Sequence, residues 1–307
     1  MPILIDTDPG QDDAVALLLA FASREALDLR AVTTVSGNVG IEKTTLNALR
    51  VRDLAGRADV PVYAGASSPI LFPLETAEFI SGPDGLAGAN LPPAASAAQD
   101  GHAVDAIIRI VREAHVGSIT LCALGPLTNV ALALRLAPDI ASRLAEIVVM
   151  GGAMALGNVT PAAEYNFYVD PHAAAIVLGA GVRITLFGLH ATHQALASPR
   201  HIEGLAALGN RTGRAVQGML TRPRPGGLGT TAHPMHDPCV IAWLLWPDLF
   251  KGRDCYVEVA TEAGPLRGRS TIDWNNRLKR TPNVFVVNEV DADAFFDRLI
   301  DALARLP

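Results

Sequence analysis

The sequence predicts an open α/β fold in one domain, with a mostly parallel, Rossmann-like sheet flanked by helices. Short runs of Ile, Val and Leu alternate with amphipathic helical stretches along the first two thirds of the chain. This alternation is typical of βαβ units with right-handed crossovers. The 307 residues are 50% apolar and 18% charged, a composition that can bury a large core. We find no internal repeat or interdomain linker, and therefore expect a single domain over residues 1–307.

Predicted strands and helices follow one another in regular order. The predicted strands cover residues 3–5, 29–35, 61–63, 119–123, 147–150 and 184–187. The helices that follow them cover residues 13–22, 41–54, 104–114, 127–136 and 171–178, and a further helix begins after Ser198. Near the C-terminus, residues 255–260, 270–274 and 283–287 are strand-like, and a helix over residues 291–306 closes the chain. We expect some of these last strands to be antiparallel.

Two long stretches lack a helix or strand pattern. Residues 64–100 are rich in Pro, Gly, Ala and Ser, and residues 221–233 contain the run Arg-Pro-Arg-Pro-Gly-Gly. Loops of such length are uncommon in compact domains unless they cover a binding site. Both stretches are therefore predicted to border a ligand site, the second as a flap.

The charge balance restricts the classes of ligand. A net charge of -6 and a pI near 5.7 argue against a nucleic-acid-binding protein, because phosphate contacts need clustered Lys and Arg, which this chain lacks. The sequence favours a small uncharged or cationic ligand.

The cysteines and apolar runs indicate the compartment. Cys122, Cys239 and Cys255 are an odd number without CxxC spacing, which indicates reduced thiols rather than disulfides or a zinc site. We find neither a cleavable leader nor an apolar run long enough to span a bilayer. We expect a cytoplasmic protein without a membrane partner.

The most distinctive segment is an acidic cluster between the first strand and the first helix. Asp6, Asp8, Asp12 and Asp13 place four carboxylates within eight positions, a crowding that is unfavourable without a cation. Asp6 and Asp8 point to the same side of a strand end, and the turn at residues 9–10 brings the second pair back toward Asp8. Such oxygen ligands without Cys or His favour Ca²⁺ or Mg²⁺ over zinc.

Asp12 and Asp13 have two interpretations. They diverge around the helix axis, so one could bind the metal while the other binds a group beside it. Alternatively, both could merely cap the first helix and favour its dipole. Capping explains one aspartate rather than four. The cluster also follows the carboxyl end of a strand, where open α/β sheets bind their ligands.

Further polar segments follow other predicted strands or begin helices. Taken singly, Asn38 and Asn158 could be turn residues, and Asp237 could be an N-cap before proline. Glu164 and Asn166 lie two apart on a piece predicted to be extended. They could present a carboxylate and an amide to a polyol such as ribose.

The segment His236-Asp237-Pro238 also carries chemistry. Asp237 is a natural further metal ligand. His236 titrates near neutrality and could donate a proton.

The N-terminal run Asp6-Thr7-Asp8-Pro9-Gly10-Gln11-Asp12-Asp13-Ala14 resembles the signature of the inosine-uridine preferring nucleoside hydrolases. Later segments match this family in the same order: Gly37-Asn38, Leu124-Gly125-Pro126-Leu127-Thr128-Asn129, Met150-Gly151-Gly152, Gly157-Asn158, Glu164-Tyr165-Asn166 and His236-Asp237-Pro238. The similarity spans essentially the whole chain.

The resemblance implies the nucleoside hydrolase fold and a Ca²⁺-dependent hydrolase whose partner is a small nucleoside. The implied Ca²⁺ ligands are Asp8, Asp13, Asp237 and the backbone carbonyl of Leu124. The implied ribose ligands are Asp12, Asn158, Glu164, Asn166 and Asp237, with Asn38 and Met150 nearby. Asp6 would orient a metal-binding residue. Relatives are usually dimers or tetramers, so a homodimer or homotetramer is expected.

The implied reaction suits these residue types. A water held and acidified by Ca²⁺ would give its proton to Asp8 and attack C1′ while the glycosidic bond breaks through an oxocarbenium-like state. Carboxylates around the sugar favour that positive charge. His236 would protonate the leaving base.

The chain departs from the family pattern at several positions. Ser81 stands where many relatives have His, and the stretch 221–233 lacks the tyrosines of some pyrimidine-preferring members. The base preference is therefore open. His190 stands where relatives often have Asp, and with His193 it forms an HxxH spacing that we interpret as structural. Trp274 could stack on a base or fill the core or the rim.

Two other functions compete with the hydrolase. Asp6-Thr7-Asp8 also resembles the DxD of haloacid dehalogenase phosphatases, but Gly10 stands where that family has a hydroxyl or apolar residue. That family also needs a lysine further along the chain, and lysines are few here: Lys43, Lys251 and Lys279. The second alternative is a ribose or nucleoside binder without catalysis, against which the retained Asp8 argues.

Overall fold

Strands and helices alternate along the computed structural model, which describes residues 1–221 and 233–307. The strands are β1 (Pro2–Thr7), β2 (Asp28–Thr34), β3 (Val62–Ala64), β4 (Ile119–Ala123), β5 (Leu144–Met150), β6 (Ile184–Phe187), β7 (Leu196–Ala197), β8 (His233–Pro234), β9 (Phe250–Cys255), β10 (Val257–Val259), β11 (Ser270–Ile272) and β12 (Val284–Val290). The helices are α1 (Gln11–Ala22), α2 (Ile41–Leu54), α3 (Glu78–Ser81), α4 (Ala103–Glu113), α5 (Thr128–Leu136), α6 (Tyr165–Val169), α7 (Pro171–Leu178), α8 (Leu189–Thr192), α9 (Pro199–Ala207), α10 (Arg211–Leu220), α11 (His236–Leu245) and α12 (Ala292–Leu303). Short 3₁₀ helices cover Pro138–Arg143 and Pro247–Leu249.

The main sheet has eight strands in the order β3-β2-β1-β4-β5-β6-β12-β9. Neighbours pair in parallel from β3 to β12, and β9 runs antiparallel to β12 at the edge. The strands β10 and β11 form a separate antiparallel pair, as do β7 and β8. The predicted fold class is therefore confirmed. The strand order reverses at β1, which creates a crevice at its carboxyl end.

The sheet separates two apolar cores. Side chains alternate along β1, so that Ile3 and Ile5 pack into one core and Leu4 into the other. The helix α1 is buried on nearly all sides and packs against α11 in the first core. This packing fixes the first turn of α1, which carries Asp12 and Asp13, relative to the start of α11.

The sequence patterns missed several short elements and two longer ones, the strand β9 and the helix α10. The edge strand β9 has the sequence Phe-Lys-Gly-Arg-Asp-Cys, in which exposed charged residues replace the apolar alternation. Charged side chains are typical of edge strands, because they discourage pairing with other chains. The helix α10 was also missed, because Gly213 and Gly218 interrupt its helical pattern.

The stretch of residues 64–100 contains β3's last residue and the short helix α3, and is otherwise irregular. Arg267, from the β10–β11 connection, holds this stretch in place. Its guanidinium lies over the rings of Phe72 and Tyr168, at 3.9 and 4.1 Å, and pairs with Glu75 at 2.7 Å. The flap predicted over residues 221–233 lies outside the described residues except at its two ends.

In the described ranges, 1–221 and 233–307, none of the helices is both long enough and apolar enough to cross a membrane.

Candidate active site

The carboxyl ends of β1, β2, β4 and β5 meet at a cavity of about 1160 Å³, beside the point where the strand order reverses. Its walls contain every residue that the sequence assigned to catalysis, sugar binding or metal binding: Asp8, Asp12, Asp13, Asn38, Leu124, Met150, Asn158, Glu164, Asn166, His236 and Asp237. The stretch of residues 64–100 adds Phe79, Ile80 and Ser81 to the wall. Residues far apart in sequence are thus brought to one site.

Asp13 accepts hydrogen bonds from several directions at the base of this cavity. Its Oδ1 accepts from the Thr7 hydroxyl, and at 3.3 Å from the Asp8 N–H. Its Oδ2 accepts from the Gly10 N–H at 3.0 Å and from the Asn38 side-chain amide at 3.2 Å. The turn at residues 9–10 therefore brings Asp13 back to the end of β1, as predicted from the sequence.

The Asp8 carboxylate is buried between two glycines. A Cβ atom at either Gly37 or Gly125 would clash with its oxygens, so both positions need glycine. The backbone N–H of Asn38 donates to Asp8 Oδ2 at 2.7 Å. Burial, and then the charge of Asp13, raises the pKa of Asp8 well above its ordinary value. A nearby cation would oppose both effects.

Asp12, Asp13 and Asp237 form a compact carboxylate group that could hold a metal ion. One oxygen of each lies within 4.8 Å of the others. Burial, followed by the charges of Asp13 and Asp12, raises the pKa of Asp237. None of the described residues that line the cavity is Lys or Arg. Among residues 1–221 and 233–307, no lysine or arginine side chain of the cavity wall offsets these carboxylates, and a bound metal ion would relieve their repulsion.

The geometric cluster shares Asp13 and Asp237 with the predicted ligand set and differs from it in the third carboxylate. The prediction has Asp8 and the Leu124 carbonyl beside Asp13 and Asp237, whereas the compact group contains Asp12. Asp8 and Leu124 line the same cavity as this group. The ligand set stays a prediction, and calcium titrations of the Asp8 and Asp12 variants will separate the two arrangements.

Glu164 also lines the cavity, as the N-cap of α6. Its carboxylate accepts from the backbone N–H groups of Asn166, Phe167 and Gly152, at 2.8, 3.1 and 2.9 Å. Burial raises its pKa to about 7 despite these three donors. The segment after Glu164 is therefore helical, and the extended conformation expected there is wrong, because the capping carboxylate satisfies the first N–H groups of a helix.

Asn166 links α6 to the ends of two strands. Its side-chain amide donates to the carbonyl of Leu124 at 2.7 Å and to that of Met150 at 3.1 Å. Asn158 accepts from the Tyr165 N–H at 2.9 Å, which fixes the preceding loop. These bonds hold the predicted sugar-binding residues and the Leu124 carbonyl in one rigid unit.

Comparison with known proteins identifies the family. Residues 3–297 match the model of the inosine-uridine preferring nucleoside hydrolases. The chain belongs to this family. It is 42% identical to the pyrimidine-specific ribonucleoside hydrolase RihA of Klebsiella pneumoniae, over 99% of this chain and 98% of the relative. The solved plant nucleoside hydrolase PpNRh1 is 33% identical, with a TM-score of 0.92 over 99% of this chain and 98% of that one.

A third relative is the purine-preferring ribonucleoside hydrolase from Gardnerella vaginalis. It is 30% identical, with a TM-score of 0.91 over 99% of this chain and 98% of that structure. The protein is thus a ribonucleoside hydrolase, an enzyme that cleaves N-glycosidic bonds, and the phosphatase and binder alternatives are excluded. The family is metal-dependent, in keeping with the carboxylate group described above.

Histidines form a further part of the nucleoside hydrolase cavity. His236 Nδ1 lies 2.7 Å from the hydroxyl of Thr192, which is fully buried. The His193 ring is tilted against that of His236 with 5.5 Å between centroids, and it also lines the cavity. The sequence interpretation missed His193 and Thr192. The signal was available in the HxxH spacing, but it was interpreted as structural for both histidines.

His190 and Trp274, for which the sequence left two interpretations, do not line the cavity. His190 Nε2 lies 2.9 Å from the Val287 carbonyl and is not among the cavity residues, so its structural interpretation holds. Trp274 lies under the Arg253 guanidinium at 4.3 Å, outside the cavity wall. Trp274 also packs against the second core, so the structure favours the core or rim alternative over base stacking.

Asp6 is buried beneath the site. Its Oδ1 accepts from the Thr33 hydroxyl at 2.6 Å and from the Asn129 amide at 2.8 Å. Burial raises the pKa of Asp6 to about 7, and these two bonds only partly offset that effect. Asn129 also donates to the Thr34 carbonyl at 2.9 Å, so Asp6 connects β1 and β2 to α5.

We expect the metal-free protein to lose stability as the pH rises from about 4 to about 7. The folded-state pKa values of Asp6 and Glu164 are raised from 3.8 and 4.5 to about 7. Between these values the unfolded chain releases protons that the folded protein retains. Each group then lowers the free energy of unfolding by up to about 1.4 kcal/mol per pH unit. Denaturant unfolding in a chelator, followed by circular dichroism across this window, measures the slope.

Asp6→Asn is the matched variant for this prediction. Asparagine keeps an Oδ1 acceptor for Thr33 and Asn129 but does not ionise, so the slope of the variant should be shallower. A free energy of unfolding that rises with pH over the same window in the wild-type protein would contradict the prediction.

Proposed function

We propose that this nucleoside hydrolase uses Ca²⁺ to hydrolyse ribonucleosides to free base and ribose, with Asp8 as the general base. The compact group of Asp12, Asp13 and Asp237 supports this function most directly, since the described walls contribute no Lys or Arg. Carboxylate and carbonyl oxygens are the ligands of hard cations such as Ca²⁺, whereas a zinc site would normally contain His or Cys. We propose Asp8, Asp13, Asp237 and the Leu124 carbonyl as the ligands.

When bound, Ca²⁺ supplies positive charge that offsets the carboxylate repulsion and makes a water molecule in the cavity more acidic. Asp8 is suited to accept the proton of that water. Its position is fixed by the Asn38 N–H and by close contact with Gly37 and Gly125. The water oxygen then forms a bond to C1′ of the ribose while the bond from C1′ to the base nitrogen breaks.

The walls around the sugar stabilise the reacting ribose. Asp12, Asn158, Glu164, Asn166 and Asp237 are proposed to bind its hydroxyls, with Asn38 and Met150 beside them. Carboxylates at fixed positions favour the positive charge that develops on the ring as the bond breaks. The hydrogen bonds within the α6 wall hold Glu164 and Asn166 in place before substrate binds, which avoids reorganisation during the reaction.

His236 is the proposed donor of a proton to the leaving base. The contact with the Thr192 hydroxyl fixes the ring through Nδ1, so Nε2 is the nitrogen proposed to carry the transferred proton. Protonation of the base nitrogen neutralises the negative charge that it would otherwise carry on departure.

The experiment that tests this function is release of reducing sugar from inosine, adenosine, guanosine, uridine and cytidine. Both base classes belong in the panel because the relatives include a pyrimidine-specific and a purine-preferring enzyme. Each substrate is tested with native enzyme, with enzyme treated with a strong calcium chelator, and after Ca²⁺ is restored.

We expect chelation to abolish sugar release and added Ca²⁺ to restore it. Mg²⁺ should restore less activity, because it demands a near-ideal octahedral geometry at short distances, whereas Ca²⁺ accepts irregular coordination by oxygen ligands. Full activity in the chelator, with the metal content shown to be zero by atomic absorption, would contradict the metal-dependent reaction. Restoration by Zn²⁺ but not by Ca²⁺ would contradict the choice of ion.

A further inference from the structure

We propose that Ser81 is a positioning residue of the metal site, which acts by fixing the orientation of the Asn38 side-chain amide. Ser81 is nearly fully buried, with 3% of its surface exposed, and its hydroxyl donates to Asn38 Oδ1 at 2.6 Å. The opposite end of the same amide donates to the Asp8 carbonyl and to Asp13 Oδ2, both at 3.2 Å. This role rests on the calcium-dependent function proposed above.

The direction of the amide matters because its two ends are chemically opposite. Nδ2 is a donor and Oδ1 is an acceptor, so a flipped amide would place an oxygen against the Asp13 carboxylate. The Asp8 carbonyl and the Asp13 carboxylate can only accept, so they require Nδ2 on their side, and the Ser81 hydroxyl stabilises this orientation by donating to Oδ1. The N–H groups are thereby aimed at the aspartate that accepts the most hydrogen bonds in the site.

Close packing makes this amide sensitive to its neighbours. A Cβ atom at Gly10 would lie 2.6 Å from Asn38 Nδ2, so the turn after β1 leaves room for the amide and for little else. The Asn38 backbone N–H also donates to Asp8 Oδ2 at 2.7 Å. One residue thus holds both Asp8 and Asp13, and Ser81 is the side chain that occupies its remaining acceptor.

The segment that carries Ser81 is itself fixed. Lys43 donates to the Pro83 carbonyl at 2.6 Å and to Glu78 at 3.0 Å. Asn47 donates to the Asp84 carbonyl at 2.6 Å. These bonds attach both sides of Ser81 to α2, so its hydroxyl is presented from a rigid support rather than from a free loop.

The expected consequence is a weaker metal site when the hydroxyl is removed. Loss of a group that orients a metal ligand typically lowers metal affinity about 10- to 100-fold. Because Ser81 acts one hydrogen bond further out, through Asn38, we expect Ser81→Ala to bind Ca²⁺ at the low end of this range, about 10-fold more weakly. Ser81→Thr, which keeps the hydroxyl, should stay close to the wild-type protein. At saturating Ca²⁺ the kcat of Ser81→Ala should recover most of its loss.

The test is a calcium titration of chelator-treated protein by isothermal calorimetry and by the shift of the melting temperature, with CaCl₂ as the only ligand. Neither readout requires substrate. The melting temperature in chelator shows whether each variant is folded. If Ser81→Ala does not fold, Ser81→Thr and Ser81→Val are compared instead, because they have nearly the same shape and differ in the hydroxyl.

Equal calcium affinity of Ser81→Ala and the wild-type protein would overturn the role of Ser81. Equal calcium affinity of Ser81→Thr and Ser81→Val would overturn it as well. Failure of the proposed function gives a different result, since the wild-type protein itself would then bind no Ca²⁺ or release no sugar. A loss in Ser81→Ala that Ser81→Thr restores supports the positioning role.

Discussion

Asp8→Asn is expected to lower kcat by about 10²- to 10⁴-fold, the range for loss of a general base. Asparagine has the same shape, and its oxygen can still accept from the Asn38 N–H, but it cannot take a proton at neutral pH. KM should change much less than kcat, because Asp8 is proposed to act on the water rather than to bind the sugar. Steady-state kinetics at saturating Ca²⁺, with the best substrate of the panel, measures both constants.

Asp139→Asn is the matched control for Asp8→Asn. Asp139 is an exposed aspartate that pairs with Arg112 at 2.6 Å, so this variant makes the same chemical change away from the cavity. It should retain full activity. An Asp8→Asn enzyme with unchanged kcat at saturating Ca²⁺ would show that another group accepts the proton.

Asp13→Ala is expected to abolish the calcium-dependent stabilisation of the protein together with its activity. The wild-type protein should gain about 2.7 kcal/mol in free energy of unfolding at a Ca²⁺ concentration 100-fold above the dissociation constant. Asp13→Ala should gain almost nothing, because it loses a proposed ligand and leaves its four hydrogen-bond donors without their acceptor. Denaturant unfolding with CaCl₂ and with chelator measures the difference.

Two further variants decide which carboxylates complete the metal site. If the predicted ligand set is correct, Asp8→Asn will weaken Ca²⁺ binding more than Asp12→Asn. If the compact group of Asp12, Asp13 and Asp237 is the site, Asp12→Asn will have the larger effect. An Asp13→Ala protein that is stabilised by Ca²⁺ as much as the wild-type protein would contradict both arrangements.

Local sequence determined much of the fold and the position of the site. The alternation of apolar runs predicted the parallel sheet, because a strand buried on both faces needs an uninterrupted apolar sequence. The acidic cluster predicted a metal site after β1, because four carboxylates in eight positions are unfavourable without a cation. The individual roles of Asp12 and Asn158 came from resemblance to a family, since each has an ordinary structural explanation when taken alone, whereas the residue type alone suggested His236 as a proton donor.

The tertiary structure decided what depends on contacts between distant segments. The edge strand β9 was missed because its charged residues hide the strand pattern, and only pairing with β12 reveals it. Ser81 is 43 positions from Asn38 in sequence, so their hydrogen bond could not be predicted from spacing. His193 lines the cavity and Thr192 contacts His236 because α8 packs beside the start of α11. Sequence determines which side chains are available, whereas chain packing determines which of them meet, because hydrogen bonds and charge interactions act over a few ångströms in space.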